Sequence, residues 1–540
     1  MISVIASRNV FKDTGINISG LITVNEIVSL RFETVLAYIL TVLTASVLTV
    51  MLWKLIFHVI NNFKKTYILF GILYLAGLIF IILNFPDNFL YGSSDNFITY
   101  ACAVRLTPDY WHNAYSSIVY GACMLVLPTA LSITIIQWTF FLFTVAYIFH
   151  RISDVCPLRF PKYLVFLIFL LPNTLLIILD AYRIFQYATI MLLFSSIIIF
   201  DMIEKKTRPL NELLTIAFLG AFLSVWRSEG VLICSLLFAI YIIYSYRNKL
   251  SKIIFFGVMF IALFLLISVP QKIGIKKYYG KDYTIINSMS FLQVLLNCGG
   301  NFSYDGADED IAAINAVTPI EYIKGYGITG YRYYNNVVKG NEDFNQSAAS
   351  DEEADAFISA YTGVMLHNVR PVIKNMLETI YTSYTSKHIF FDYVPERSVE
   401  IPEINPASWQ KGGELFLSDN PLISGDESGA HPLTILYLFR NRTILFLMNN
   451  MILLSVFALI LIGNLAVFIR GLFLMIRKKD GVRFAIGLAA LSLLAEYAAL
   501  FVLVPATTYL YFIIYNYISL LLFLSLLVYD LRSRKDHCTP

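Results

Sequence analysis

The sequence predicts an all-α polytopic membrane protein, and three observations predict it. The chain of 540 residues is 58% hydrophobic and only 14% charged, with a mean hydropathy of +0.68. Soluble domains run nearer a quarter charged. Apolar runs of about 18 to 25 residues recur along the chain, the length a helix needs to cross a bilayer. Finally, Lys and Arg gather in alternate connections between those runs, which is how cytoplasmic loops are marked.

Taken in order, the runs predict about eleven spans, at 35–57, 67–84, 128–149, 163–180, 184–201, 212–227, 230–246, 253–270, 444–469, 484–504 and 508–530. Residues 1–34 are mixed in character and precede a full-length span, so they read as an external N-terminal segment rather than a cleavable signal. The bundle 35–270 includes a first external loop, 85–127. Within it, "NAYSSIVYGACMLVL" (113–127) reads as an interfacial or re-entrant helix, because the charge pattern closes only with one span between 112 and 150.

The basic connections then share one face. They hold Lys64 and Lys65; His150, Arg151, Arg159 and Lys162; Lys205, Lys206 and Arg208; Arg247, Lys249 and Lys252; Arg477, Lys478, Lys479 and Arg483; and Arg532, Arg534 and Lys535 in the tail 531–540. The positive-inside rule makes that face cytoplasmic, which puts the N-terminus outside and the C-terminus inside a cell (plasma) membrane. The opposite face receives 85–112, the short links at 180–183 and 227–230, and the long segment 271–443, which is more acidic than basic. Structureless loops of that length are uncommon, so the segment predicts ordered structure. Its best helix runs from Ser350, a plausible N-cap with Glu353 three residues on, and Pro371 is expected to divide it. The C-terminal spans occupy 444–530.

Three polar links on the outer face carry the candidate chemistry. In "YGSSDNFITY", Asp95 lies just past a span, where a carboxylate acts as general base or binds a divalent cation. The same residue equally suits a helix N-cap. Asp109, beside Pro108, reads as a turn acid with His112 and two aromatic residues close by. In "LDAYR", Asp180 and Arg183 sit in a connection too short to leave the interface. Arg183 offers bidentate hydrogen bonds to a phosphate, or pairs locally with Asp180. In "WRSEG", Arg227 and Glu229 interrupt an apolar stretch, where ionisable groups mark a site or a mutual pair. His367, Asn368 and Arg370 in "LHNVRP" read as an exposed helix end or as further contacts of the site. Glu496 lies within a span.

The six cysteines form no CxxC and no Cys/His spacing suited to a metal. Phosphate-loop, dinucleotide, zincin and serine-hydrolase motifs are missing from the sequence. Nothing in the composition points to nucleic acid.

The order of these motifs resembles the GT-C superfamily of integral-membrane glycosyltransferases: an acid in "SSDNFITYACAVRL", then "WHNAYSSIVYG", short hairpins, an R-x-E-G link and a late outer segment. The resemblance covers residues 67–270 by motif order and the remainder by architecture. It implies a sugar donor carried on polyprenyl phosphate at the outer leaflet and an acceptor glycan or protein. It also implies Asp95 as catalytic acid, acting as base or as ligand of a divalent cation, with Arg183 and Arg227 on the donor phosphate. Asp109, His112, Asp180 and Glu229 stand as supporting residues. The chain departs from the pattern in having Asp95-Asn96 for an Asp-Glu pair, Thr508-Tyr509 for an Arg-Tyr pair, and a span at 35–57 before the usual first one. A surface-polysaccharide polymerase and a transporter or flippase of lipid-linked sugars are the alternative readings.

Overall fold

The computed structural model describes chiefly residues 32–61, 65–83, 113–127, 131–171, 183–279, 303–317, 351–374, 450–503 and 508–538, with short gaps. Every element among them is helical. The first half holds α1 (Phe32–Asn61), α2 (Lys65–Leu83), α3 (Ala114–Val126), α4 (Leu131–Val155), a 3-10 helix (Pro161–Leu170), α5 (Arg183–Glu204), α6 (Leu210–Trp226), α7 (Gly230–Tyr246) and α8 (Leu250–Tyr279). There follow α9 (Ala307–Val317) and α10 (Asp351–His367), then α11 (Asn450–Lys478), α12 (Gly481–Leu503) and α13 (Thr508–Cys538). Helices satisfy their own backbone hydrogen bonds, which is why an apolar chain in lipid takes this form.

Among the described residues, seven helices are long and apolar enough to cross a membrane, at Val35–Trp53, Leu131–Val155, Arg183–Glu204, Leu250–Gly274, Ser455–Lys478, Gly481–Ala498 and Ile514–Ser533. The remaining four expected spans fall on shorter apolar segments: Ile68–Ile82, Pro161–Leu170, Leu210–Trp226 and Gly230–Tyr246. At 1.5 Å per residue, the two 17-residue helices α6 and α7 are about 26 Å long. The described residues at the start of the expected span at 163–180 belong to a ten-residue 3-10 helix that opens at Pro161 and ends at Leu170.

Burial divides the seven. The apolar windows of α4 and α5 are 78% and 83% buried, whereas those of α1, α8 and α11 are 17%, 22% and 22% buried. So α4 and α5 form the centre, and the outer helices turn residues such as Leu43, Val47, Val258, Ile261, Leu459 and Ile462 outward. Such apolar exteriors are compatible with a multi-pass membrane protein. Rings lock the centre: Phe141 of α4 packs on Phe185 of α5 at 4.9 Å, on Phe169 at 5.5 Å and on Tyr517 of α13 at 5.9 Å. Helix α3 is 13 residues long and buried from Ala114 to Leu125 except at Tyr115. It packs on α1 through Ala45, Ala122 and Leu125. The 113–127 stretch is thus a short helix set into the bundle.

Small residues set one helix crossing. A Cβ on Gly471 of α11 would stand 2.6 Å from the Arg483 carbonyl oxygen and 3.1 Å from the Gly487 Cα of α12. Close backbone approach of this kind is how helices associate when lipid removes the hydrophobic drive. Gly471→Val is expected to cost about 1–3 kcal/mol by overpacking, read as a lower melting temperature of the detergent-solubilised protein.

The basic connections meet at one end of the bundle, in two ion-pair networks. Fully buried Asp201 of α5 accepts from Arg208 (Nη2 to Oδ1, 3.0 Å), from Arg151 of α4 at 3.4 Å and from the Tyr241 hydroxyl of α7 at 3.4 Å. Arg151 also reaches Glu204 at 3.1 Å, and Arg208 reaches Glu212 at 2.6 Å. Burial opposes the charge on Arg208. Its hydrogen bond to Asp201 and that carboxylate's field outweigh burial and hold its pKa above the ordinary value. In the second network Arg483 of α12 donates to Asp480 and, at 2.8 Å, to Asp530 of α13, while Arg470 of α11 pairs with Asp530.

A separate small core lies in the long segment between α8 and α11. There α9 and α10 pack through Ile314, Val317, Phe357, Ala360 and Val364, joined by Leu292 and Ile320. Both helices open on acids, which suits their N-terminal dipoles. The expected helix after Ser350 is present as α10. Its helical turns continue past Asn368 to Lys374, so Pro371 lies within the continuation and the local turn falls at Asn368.

Candidate functional site

The opposite end of the bundle holds both sequence-predicted arginines. Arg183 is the first residue of α5, and Arg227 caps the C-terminus of α6 in extended backbone. The turn is tight: the Gly230 N–H that opens α7 donates to the Arg227 carbonyl at 3.0 Å. Both arginines are buried, at 8% and 9% exposure.

Tyr187 ties α5 to the end of α6. It lies one turn after Arg183 on α5, a spacing that sets the two side chains on one helix face. The Arg227 guanidinium stands 5.9 Å from its ring centroid. The Tyr187 hydroxyl donates to the Leu223 carbonyl of α6 at 3.2 Å, and the Trp226 ring meets its ring edge-on at 5.7 Å. Trp226 in turn donates to Ser116 of α3 at 3.0 Å. The Asn113 amide donates to the Val225 carbonyl at 2.8 Å, and the Ala114 N–H donates to Gln271 of α8 at 2.8 Å. Asn113 holds a φ of 124°, a conformation it accepts while its side chain caps α3 by accepting from the Tyr115 N–H. Ends of α3, α5, α6 and α7 therefore converge here, with α8 alongside.

Gly230 is required by this closeness, since a Cβ there would overlap the Tyr187 hydroxyl and lie 3.0 Å from the Leu223 carbonyl. Gly230→Ala is expected to cost about 1–3 kcal/mol. Adding Tyr187→Phe, which removes the overlapping oxygen, should restore part of the lost melting temperature.

Two further groups belong to this end, and the sequence reading gave neither this place. Gln186 adjoins Tyr187 and is 6% exposed. Among the described residues neither atom of its amide has a hydrogen-bond partner. A glutamine in the first turn of a buried apolar helix was its signal in the sequence. Glu496 of α12 is buried and accepts from the Tyr515 hydroxyl of α13 at 3.3 Å. Each of these residues lies seven positions from the end of its helix on this side, so they share a depth of about 10 Å. Cys234, one turn into α7, stands within reach of the Tyr187 and Ser224 hydroxyls and within electrostatic range of Glu496. The sequence names no partner for Glu496, and the Tyr515 hydroxyl is one.

Asp95, Asp109, His112, Asp180 and Glu229 lie outside the described residues. Of the predicted site, Arg183 and Arg227 are described, and they lie at helix ends on the same side of the bundle. Asn368 does not join them: it is buried in the α9–α10 unit, where its amide donates to the Val364 carbonyl at 2.9 Å. His367 stacks on Tyr304 of that unit with ring centroids 4.1 Å apart. Among the described residues no group of three or more His, Cys, Asp or Glu is placed to hold a metal ion.

Chemically, Arg183 at the start of α5 and Arg227 at the end of α6 put two buried guanidinium groups at one end of the bundle, chemistry suited to an anion. Burial strengthens each attraction relative to water, and a guanidinium fork matches phosphate oxygens. No family model, curated protein or solved structure matches this chain.

Proposed function

We propose that the chain is an integral-membrane glycosyltransferase that moves a sugar from a polyprenyl-phosphate donor to an acceptor glycan or protein on the outer face of the membrane, in cell-envelope or surface-polysaccharide assembly. The observation that carries the reading is the placement of two buried arginines, Arg183 at the start of α5 and Arg227 against the Tyr187 ring, at the end opposite the basic connections. In this reading eleven segments span, 271–443 lies outside, and the N-terminus is external and the C-terminus cytoplasmic. The arginines hold the donor phosphate and stabilise it as leaving group, Asp95 takes the acceptor proton, and the apolar exterior receives the lipid tail. The test is transfer of labelled sugar from a polyprenyl-phosphate hexose by protein reconstituted in nanodiscs. Turnover that falls in Arg183→Ala and Asp95→Ala supports the reading. Full turnover in Asp95→Ala removes that residue as base.

A second reading, a transporter or flippase of lipid-linked sugars, is favoured by the polar residues inside the spans. Besides Glu496 and Tyr515, Tyr497 donates to Asn516 at 2.7 Å, and Asn464 of α11 donates to Ser519 of α13 at 2.8 Å. Movement of intact lipid-linked sugar across vesicles without chemical turnover would establish it in place of the first.

A further inference from the structure

The α9–α10 unit carries a feature that neither the arginine site nor the bundle uses. Helix α10 begins with Asp351, Glu352, Glu353 and Asp355, and no acid follows before Lys374. Its inner face, Phe357, Ala360, Val364 and Asn368, is buried against the small core. Its outer face differs in kind. Leu366, Val369 and Ile373 are 68%, 46% and 52% exposed and form one row at helical spacing. Beside them runs a second row at the same spacing, His367, Arg370 and Lys374, all exposed. His367 is held by its stack on Tyr304 and by its contact with the Gly363 carbonyl at 2.8 Å. Arg370 and Lys374 are the cations of the row.

We propose that this half of α10, through Lys374, is an interfacial helix that rests on the membrane the chain itself spans. Leu366, Val369 and Ile373 enter the headgroup boundary, and Arg370 and Lys374 meet the phosphates of anionic phospholipids. Three large apolar side chains in a row are poorly suited to water, and a neighbouring basic row is the charge complement of an anionic lipid surface. Long cationic side chains also reach headgroups while their stems lie along apolar surface. The separation of charge along α10 orients it: its acidic start turns from the phosphates and its basic end faces them. Lipid is also the surface at hand, because the unit is bracketed by the candidate spans Leu250–Gly274 and Ser455–Lys478. The inference does not rest on the transferase reading, and it assigns to this unit the task of fixing its height over the bundle.

The experiment uses the full chain in vesicles of phosphatidylcholine with and without phosphatidylglycerol, carrying a photoreactive phenylalanine at 366, 373 or, as control, 352. Illumination followed by mass spectrometry identifies what each position touches. Phospholipid adducts are expected at 366 and 373 and not at 352. In the phosphatidylglycerol vesicles, Arg370→Gln with Lys374→Gln should lower the adduct yield about fivefold for each charge removed. Adducts to a peptide of the same chain or of a second copy would overturn the proposal in favour of a protein contact, and so would an absence of lipid adducts at both positions. Equal yield in the charge-neutralised variant would overturn the part played by Arg370 and Lys374.

Discussion

Under the proposed transferase reading, Arg227→Ala in the reconstituted protein is expected to lower kcat/KM for sugar transfer by about 10²–10³-fold, the loss that follows removal of one preorganised charge stabiliser. The guanidinium sits on the Tyr187 ring at the end of α6, held there by the turn into α7. Its main-chain bonds do not depend on the side chain, so the variant should fold. Arg227→Lys keeps the charge but loses the planar fork and the ring contact, and it should recover only part of the rate. The measurement is steady-state transfer from a polyprenyl-phosphate hexose for the three proteins, with melting temperature as the control for folding. Equal rates for wild type and Arg227→Ala would leave Arg227 as a structural cation.

Asp201→Ala is expected to destabilise the protein by about 3–5 kcal/mol, the effect of breaking a buried ion pair from one side. The variant leaves Arg151 and Arg208, both mostly buried, without the carboxylate that joins α4, α5 and the start of α6. A large fall in melting temperature in detergent is the expected result. Asp201→Leu combined with Arg208→Met should recover much of it, because the desolvation cost of the pair is removed along with its attraction. A melting temperature unchanged by Asp201→Ala would mean that the network closes the bundle end without stabilising it.

These two residues also show what was legible in the sequence. Arg227 was visible because a charge stood inside an apolar stretch, where lipid makes it expensive. Asp201 was not, because an acid at the last position of an expected span looks like an ordinary interface residue. Its burial comes from the chain folding back to bring Arg208 over it, a tertiary event with no periodic signal. Length was legible where turn residues bound an apolar run: the segments expected at 212–227 and 230–246 are the helices Leu210–Trp226 and Gly230–Tyr246, joined by the turn that presents Arg227. The segment 163–180 is equally apolar, but its described part winds as a 3-10 helix after Pro161, which composition does not encode. Of the basic residues read from sequence as one face, Arg151, Arg208 and Arg483 take part in the two ion-pair networks. Asp95 was legible as a candidate by its place after a span. It lies outside the described residues, so its company rests on the sequence alone.

The most direct test of the proposed phosphate site is binding rather than turnover. Native mass spectrometry of the detergent-solubilised protein with added polyprenyl phosphate should show one retained lipid on the wild type and its loss in Arg183→Ala with Arg227→Ala, while a neutral polyprenol is not retained by either. Equal retention of polyprenyl phosphate by the wild type and the double variant would contradict the account.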